Sequence, residues 1–262
     1  MTIMVDVHAH LDYPLFEEDL DEVIKRAKEA GVKAIIQNGI NPKTNRKTLE
    51  LAERYDIIKP ALGLYPIDAL QAEVADATYD IDCTPFDVDE EIRFIEKQKD
   101  QIIAIGEVGL DYNWIKDRCD EQKDTFSKII RLAEKIKKPI IVHSRKAEID
   151  ILDMLESSRL KKVVLHCFCG RSSLVKRAVD DGYSFSIPAN IVRDMHFQKI
   201  AAEIPTNQIL TETDAPFLSP FRGKRNEPAF ISESLKKISE LRGLTVEETS
   251  NLIYLNYQRM FL

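Results

Sequence analysis

The run Ile3-Met4-Val5-Asp6-Val7-His8-Ala9-His10 decides the fold: a short apolar stretch leads straight into two histidines spaced two apart. The same order returns along the chain. Ile102-Ile103-Ala104-Ile105-Gly106 leads into Glu107, Pro139-Ile140-Ile141-Val142 into His143, Val163-Val164-Leu165 into His166, and Ile209-Leu210-Thr211-Glu212-Thr213 into Asp214. Short continuous apolar runs are what strands buried on both faces look like, and such strands belong to parallel sheets covered by helices. Four of the five histidines, with Glu107 and Asp214, therefore fall at strand ends. That is how a metal site is built at the mouth of a (β/α)8 TIM barrel.

Working outward, three more strands are expected at Ala34 to Gln37, Lys59 to Leu64 and Tyr183 to Ile187, making eight. Helical periodicity between them predicts helices at Leu15 to Ala30, Pro42 to Tyr55, Val88 to Lys99, Arg118 to Lys137, Lys146 to Ser157, Ser172 to Asp181, Met195 to Glu203 and Pro228 to Arg242. An extra C-terminal helix, Val246 to Met260, is apolar at Leu252, Ile253, Leu255 and Tyr257, continued by Phe261, and is expected on the outside of the barrel. The stretch from Tyr65 to Pro85 lacks clear periodicity and reads as an insertion over the mouth, helical in part.

At 262 residues, residues 1–262 fit one barrel domain, and no linker interrupts them. A content of 44% hydrophobic and 31% charged residues excludes disorder and low complexity. No apolar stretch approaches the roughly 18 residues of a spanning helix, and the first strand begins at once, so a cytoplasmic location is expected. The four cysteines form no CxxC pair, which predicts reduced thiols, with Cys167 and Cys169 packed near the rim.

Alternate side chains of a strand share a face, so His8 and His10 point the same way and can hold one ion together. An unpaired buried glutamate costs several kcal/mol, so Glu107 calls for protonation, a cation partner or a metal, and a bridging role between two ions fits best. His143 and His166 each offer one ring nitrogen to an ion while the other is held from behind. Asp214 closes the set as a ligand or as the base that takes a proton from water. Glu212 shares its face and is expected as a supporting residue or a further ligand.

These residues stand in Asp6-Val7-His8-Ala9-His10-Leu11-Asp12, Gly106-Glu107-Val108-Gly109-Leu110-Asp111-Tyr112, Val142-His143-Ser144-Arg145, Leu165-His166-Cys167-Phe168, Thr211-Glu212-Thr213-Asp214-Ala215-Pro216-Phe217-Leu218 and Arg225-Asn226-Glu227-Pro228. With these six ordered motifs, spread over nearly the whole chain, the sequence resembles the TatD family of metal-dependent deoxyribonucleases, within the amidohydrolase-like superfamily. The resemblance implies phosphodiester hydrolysis on DNA, with one metal on His8, His10, Glu107 and Asp214 and a second on Glu107, His143 and His166. Two divalent ions, Mg²⁺, Mn²⁺ or Zn²⁺, roughly 3.5 to 4 Å apart suit in-line attack on phosphorus. In that scheme Asp214 and Glu107 are catalytic, Arg145 and Arg225 are expected to contact phosphate, and Arg222 and Lys224 are placed to do so, with solvated surface charge as their alternative. This chain departs from the family's usual Gly-x-His-Pro-His at Gly63-Leu64-Tyr65-Pro66-Ile67, which puts Tyr65 where a histidine would face the substrate. It also carries Lys146 where an acid is usual.

The net charge of −7 works against an extended duplex footprint. Short or single-stranded DNA, attacked from an end, is the expected substrate, with Tyr65, Tyr112, Trp114 and Phe217 available to stack on bases. No membrane and no obligate protein partner are expected. The alternatives are a small-molecule amidohydrolase or phosphoesterase using the same binuclear site, and a non-catalytic barrel kept for partner binding. The first often bridges its metals with a carboxylated lysine, where this chain has Glu107. The second predicts the loss of a ligand, and none is lost.

Overall fold

A computed structural model of the chain describes residues 2–71 and 84–262. Eight parallel strands lie in one sheet in sequence order, each paired with the next: β1 (Met4–Ala9), β2 (Val32–Asn38), β3 (Ile58–Leu62), β4 (Ala104–Asp111), β5 (Ile140–Arg145), β6 (Val163–His166), β7 (Ser184–Pro188) and β8 (Ile209–Glu212). All residues of β1 and of β4 are buried, as strands walled on both faces require. The chain past β8 returns to β1, where the Asp214 amide donates to the His8 carbonyl at 2.9 Å and the His10 amide to the Ala215 carbonyl at 2.8 Å. The buried Asp6 carboxylate reinforces this seam by accepting from the Thr213 amide at 2.9 Å and the Thr213 hydroxyl at 2.5 Å. The (β/α)8 TIM barrel is therefore as expected.

The helices are α1 (Leu20–Ala30), α2 (Pro42–Arg54), α3 (Pro66–Leu70), α4 (Val88–Lys97), α5 (Cys119–Ile136), α6 (Glu148–Glu156), α7 (Ser172–Asp180), α8 (Met195–Glu203), α9 (Ile231–Arg242) and α10 (Val246–Phe261). Local chemistry sets their ends. Asn41 and Thr44 form a reciprocal capping box with Pro42 in the first turn of α2, and Gly243 ends α9 in the left-handed region at φ 64°. The expected helix from Leu15 begins only at Leu20, because Pro14–Phe16 forms a separate 3-10 turn; Pro228–Phe230 likewise precedes α9. Of the stretch read as an insertion, Pro66–Leu70 is helical and residues 72–83, Cys83 included, lie outside the described residues.

The extra C-terminal helix α10 packs on the β8–β1 seam. Asn256 donates to the carbonyls of Thr206 at 2.7 Å and Ile209 at 2.9 Å, and Ser250 donates to that of Ile3. Ile253, Tyr257, Met260 and Phe261 are buried, whereas Leu255, counted on the apolar face from sequence, is 46% exposed. No helix among the described residues is long and apolar enough to cross a membrane.

Glu107 sits inside β4 rather than after it, a correction to the expected strand end. The β4–β5 pairing shifts register between Ile105 and Val108, and a bulge of this kind re-aims a side chain. The backbone there is crowded by Gly63, which Asn45 clamps with both amide atoms, at 2.9 and 3.0 Å. A Cβ on Gly63 would stand 2.4 Å from the Glu107 carbonyl oxygen and 2.6 Å from the Gly106 carbonyl carbon. Gly63→Ala is accordingly expected to destabilise the protein by about 1–3 kcal/mol, the usual cost of overpacking, and to lower bound metal. Urea unfolding paired with elemental analysis measures both; an unchanged midpoint and metal content would show that β3 and β4 have room to separate.

Candidate metal centre

β1, β4, β5 and β6 and the turn after β8 deliver six ligand groups to one point. His8 and His10 bring their Nε2 atoms within 3.0 Å of each other. Glu107 lies between the groups with its oxygens divided: Oε2 is 3.5 Å from His8 Nε2 and 3.4 Å from His10 Nε2, while Oε1 is 3.0 Å from His143 Nδ1 and 3.9 Å from His166 Nε2. Asp214 Oδ1 is 3.7 Å from both His8 and His10 Nε2. Asp214 has φ 55°, a left-handed conformation that aspartate tolerates better than most residues and that turns its carboxylate back toward β1. All six residues expected as ligands are thus brought together. Three overlapping sets, His8/His10/Glu107, Glu107/His143/His166 and His8/His166/Asp214, each hold their donor atoms within 4.8 Å of one another.

Three of the histidines are fixed from behind. His10 Nδ1–H donates to the Asn38 carbonyl at 3.1 Å, His166 Nδ1–H to Glu212 at 2.8 Å, and His143 Nε2–H to Asp111 at 3.0 Å. The inward nitrogens are thereby left to accept a cation, which is how metal-binding imidazoles are prepared. His8 Nδ1 is buried without a hydrogen-bond partner, its ring stacked on His166 with centroids 3.7 Å apart. The Glu212 oxygen that holds His166 also accepts from the Ser186 hydroxyl.

Asp111 was quoted in a motif without a role, and it turns out to organise the His143 side. Its Oδ2 accepts from His143 and, at 2.8 Å, from the Tyr65 hydroxyl. Its Oδ1 accepts from the amides of Asn113 and Trp114, and Gln122 of α5 pairs with its backbone at 2.8 and 3.0 Å. The available signal was periodicity: residues 107 and 111 of one strand share a face.

The charge pattern follows from this packing. Burial opposes charge on His10, His143 and His166, but the carboxylates around them prevail, and the rings are held up at about 9, about 10 and about 9. Burial would raise Glu107, yet hydrogen bonds from His10, His143 and His8 hold it well below the usual carboxylate range. His8 is kept neutral, by burial first and by His166 next. Burial lifts Asp214 to about 6 despite the cationic His166 and His10 beside it. A set of buried imidazoles and carboxylates, converging on each other and balanced only by protons, fits divalent cations.

A cavity of about 600 Å³ opens above these groups. Its walls include Tyr65, Trp114, Arg145 and Phe217, all expected near substrate, together with Tyr13, Lys43 and Thr44, which were not foreseen. Arg145 lies over the Trp114 ring at 5.3 Å, and Tyr13 meets Phe217 edge to face at 5.5 Å. Several expectations need correction. Arg225 does not line the cavity: its guanidinium grips Asp19 at 2.7 and 2.8 Å and lies over Phe16 at 4.4 Å. Tyr112 turns away to donate to Asp150 at 2.8 Å. Arg222, Lys224 and Lys146 are likewise absent from the cavity wall.

A parallel barrel with a histidine–carboxylate cluster at the C-terminal ends of its strands is the architecture of a metal-dependent hydrolase. Comparison with known proteins gives the family. Residues 5–262 match the family model described as TatD related DNase. The chain is 36% identical to human deoxyribonuclease TATDN3 over 98% of its own length and 94% of that protein's. It is 30% identical to the 3′-5′ ssDNA/RNA exonuclease TatD of Citrobacter koseri, with 92% of each covered. The crystal structure of YJJV, a TatD homologue from Escherichia coli, superposes with a TM-score of 0.86 at 26% identity, covering 98% of this chain and 97% of that one. The chain belongs to the TatD-related DNase family and is a metal-dependent hydrolase acting on ester bonds.

Two outcomes follow from the centre. Asp111→Asn is expected to weaken metal binding about 10–100-fold, the usual cost of releasing a ligand histidine from its carboxylate, as read by competition with a chromophoric chelator; unchanged affinity would reduce Asp111 to a packing role. The second concerns pH. Imidazoles with folded pKa values above 6.5 stabilise the metal-free fold below pH 6.5, and that contribution is lost as pH rises through about 9 to 10. Metal affinity moves the opposite way over the same window, because protons must leave before metal binds. Thermal unfolding in chelator across pH, with calorimetric proton release on metal addition, tests both signs.

Proposed function

We propose that the protein is a deoxyribonuclease that removes nucleotides from an end of single-stranded or short DNA, using two divalent ions at the barrel mouth. The observation that carries this reading is the division of Glu107, one oxygen toward His8 and His10 and the other toward His143 and His166. A single carboxylate placed between two donor sets is what a bridged pair of ions requires. His8, His10, Glu107 and Asp214 would hold one, and Glu107, His143 and His166 the other. Bound there, divalent ions would supply Lewis-acid polarisation of the phosphate and activation of the attacking water.

The chain's own groups do the rest. Asp214, on the cavity wall with its Oδ1 3.7 Å from His8 and His10 Nε2, is the candidate general base. Arg145 at the rim offers a planar donor fork for a phosphate, and Trp114 beneath it offers a face for a base. Tyr65 closes the wall on the His143 side while its hydroxyl stays on Asp111. A cavity of about 600 Å³ accommodates a small ligand rather than a duplex, which agrees with a −7 chain and with entry by one strand. The name of the Citrobacter koseri relative points to the same single-strand, end-directed chemistry.

Metal-stripped protein, restored with Mg²⁺, Mn²⁺ or Zn²⁺ and given an end-labelled single-stranded oligonucleotide, is expected to shorten it stepwise. Glu107→Ala should lower the rate at least about a thousandfold, the equivalent of losing several kcal/mol of transition-state stabilisation. No shortening with any ion, alongside turnover of a lactone or phosphotriester, would transfer the site to small-molecule chemistry.

A further inference from the structure

The opposite end of the barrel carries a groove of about 510 Å³ between the last turns of α5 and residues 159–162, which lead into β6. Seven of its ten lining residues are lysine or arginine, and Glu134 is its single acid. In a chain of net charge −7 this is a sharp local reversal. The α5 dipole favours cations at its C-terminus, and three of the seven have evident partners: Arg131 donates to the Ser127 hydroxyl at 2.8 Å, Lys135 pairs with Glu96 at 2.5 Å and Lys138 donates to the Ile102 carbonyl at 2.6 Å. Arg159, Lys161 and Lys162 belong to no helix. With Lys137 they are exposed, and among the described residues none of the four has a carboxylate within 4 Å. Glu134 is itself engaged by the Arg159 amide at 2.7 Å.

We propose that this groove is a second, non-catalytic site that binds the sugar–phosphate backbone of a single nucleic-acid strand whose end lies in the mouth. The ligand's identity rests on the nuclease reading, and its place rests on the groove. No lining residue is aromatic, so phosphates are held and bases are not read. The groove lies at the C-terminal end of α5, whose 18 residues run about 27 Å along the barrel flank. At the duplex rise of about 3.4 Å per phosphate a strand would cover that length in roughly eight nucleotides, and a more extended single strand needs fewer. Longer strands therefore reach both sites, and a trinucleotide fills only the mouth.

The test uses the full chain in chelator, so that binding is read without cleavage. A fluorescent single strand well beyond eight nucleotides is titrated onto wild type and onto the triple variant K137Q/K161Q/K162Q. Four unpaired cations weaken groove binding about fifty-fold between 50 and 200 mM salt, and the one that remains in the variant about threefold. Acylation footprinting by mass spectrometry should show Lys137, Lys161 and Lys162 protected by the strand. With metal restored, the variant should raise KM for the long strand and leave the trinucleotide unchanged. Wild-type affinity and salt slope in a variant that melts normally, or no protection of these lysines, overturns the groove even if DNA is cleaved. Binding with lysine protection, but no cleavage under any metal, leaves the groove standing and fells the nuclease reading instead.

Discussion

A carboxylate that is 5% exposed at the centre of a barrel mouth is the constraint on which the rest depends. Isolated in an apolar interior, Glu107 would be prohibitively costly as an anion. Four imidazoles answer it from β1, β5 and β6, and three of them are each oriented by a group one layer farther out: the Asn38 carbonyl, Asp111 and Glu212. Those groups have supports of their own in Gln122, Tyr65 and Ser186. The requirement thus propagates outward from one side chain until it reaches α5. The barrel is suited to this because eight strand ends face one point without any loop having to be buried.

Much of this was legible in sequence because it obeys period and order. Buried parallel strands read as continuous apolar runs, and ligands at their C-terminal ends interrupt those runs abruptly, so His8, His10, His143, His166 and Asp214 announced themselves. Glu107 was found, but its location inside β4 was not, since a register shift depends on the neighbouring strand and on the space left by Gly63. Asp111 was passed over for a related reason: its role is defined by His143, Tyr65 and Gln122, which are distant in sequence. Arg225 failed most clearly. Its charge and position after β8 suggested phosphate, yet Asp19 and the face of Phe16 hold its guanidinium away from the cavity. Cationic side chains on loops have many equivalent partners, and composition does not choose among them. The same holds for Leu255, whose helical face was decided by Asn256 reaching two carbonyls at the seam.

Charge is also distributed in a way that the net value of −7 conceals. The mouth is a dense mixture of carboxylates and imidazoles with Arg145 and Lys43 at its wall, whereas one groove at the far end of the barrel is lined by seven lysines and arginines and a single glutamate. An acidic chain therefore need not be uniformly repellent to a polyanion. What matters is the field along the path the ligand takes, and over these distances salt screens the remainder of the surface.

The ligands also differ in when they become available. Glu107, His143 and His166 come from three consecutive strands, so that half of the centre can assemble from a contiguous stretch of chain. The half containing His8 and His10 waits for Asp214, more than two hundred residues later, and for the seam that ties Asp6 to Thr213. A ribosome making this protein exposes His8 and His10 more than two hundred residues before Asp214, the last of the donors, emerges. A chain interrupted before Asp214 would carry five of the six donors but not the seam that closes the barrel, so the full complement of donors exists only once the segment after β8 has docked on β1.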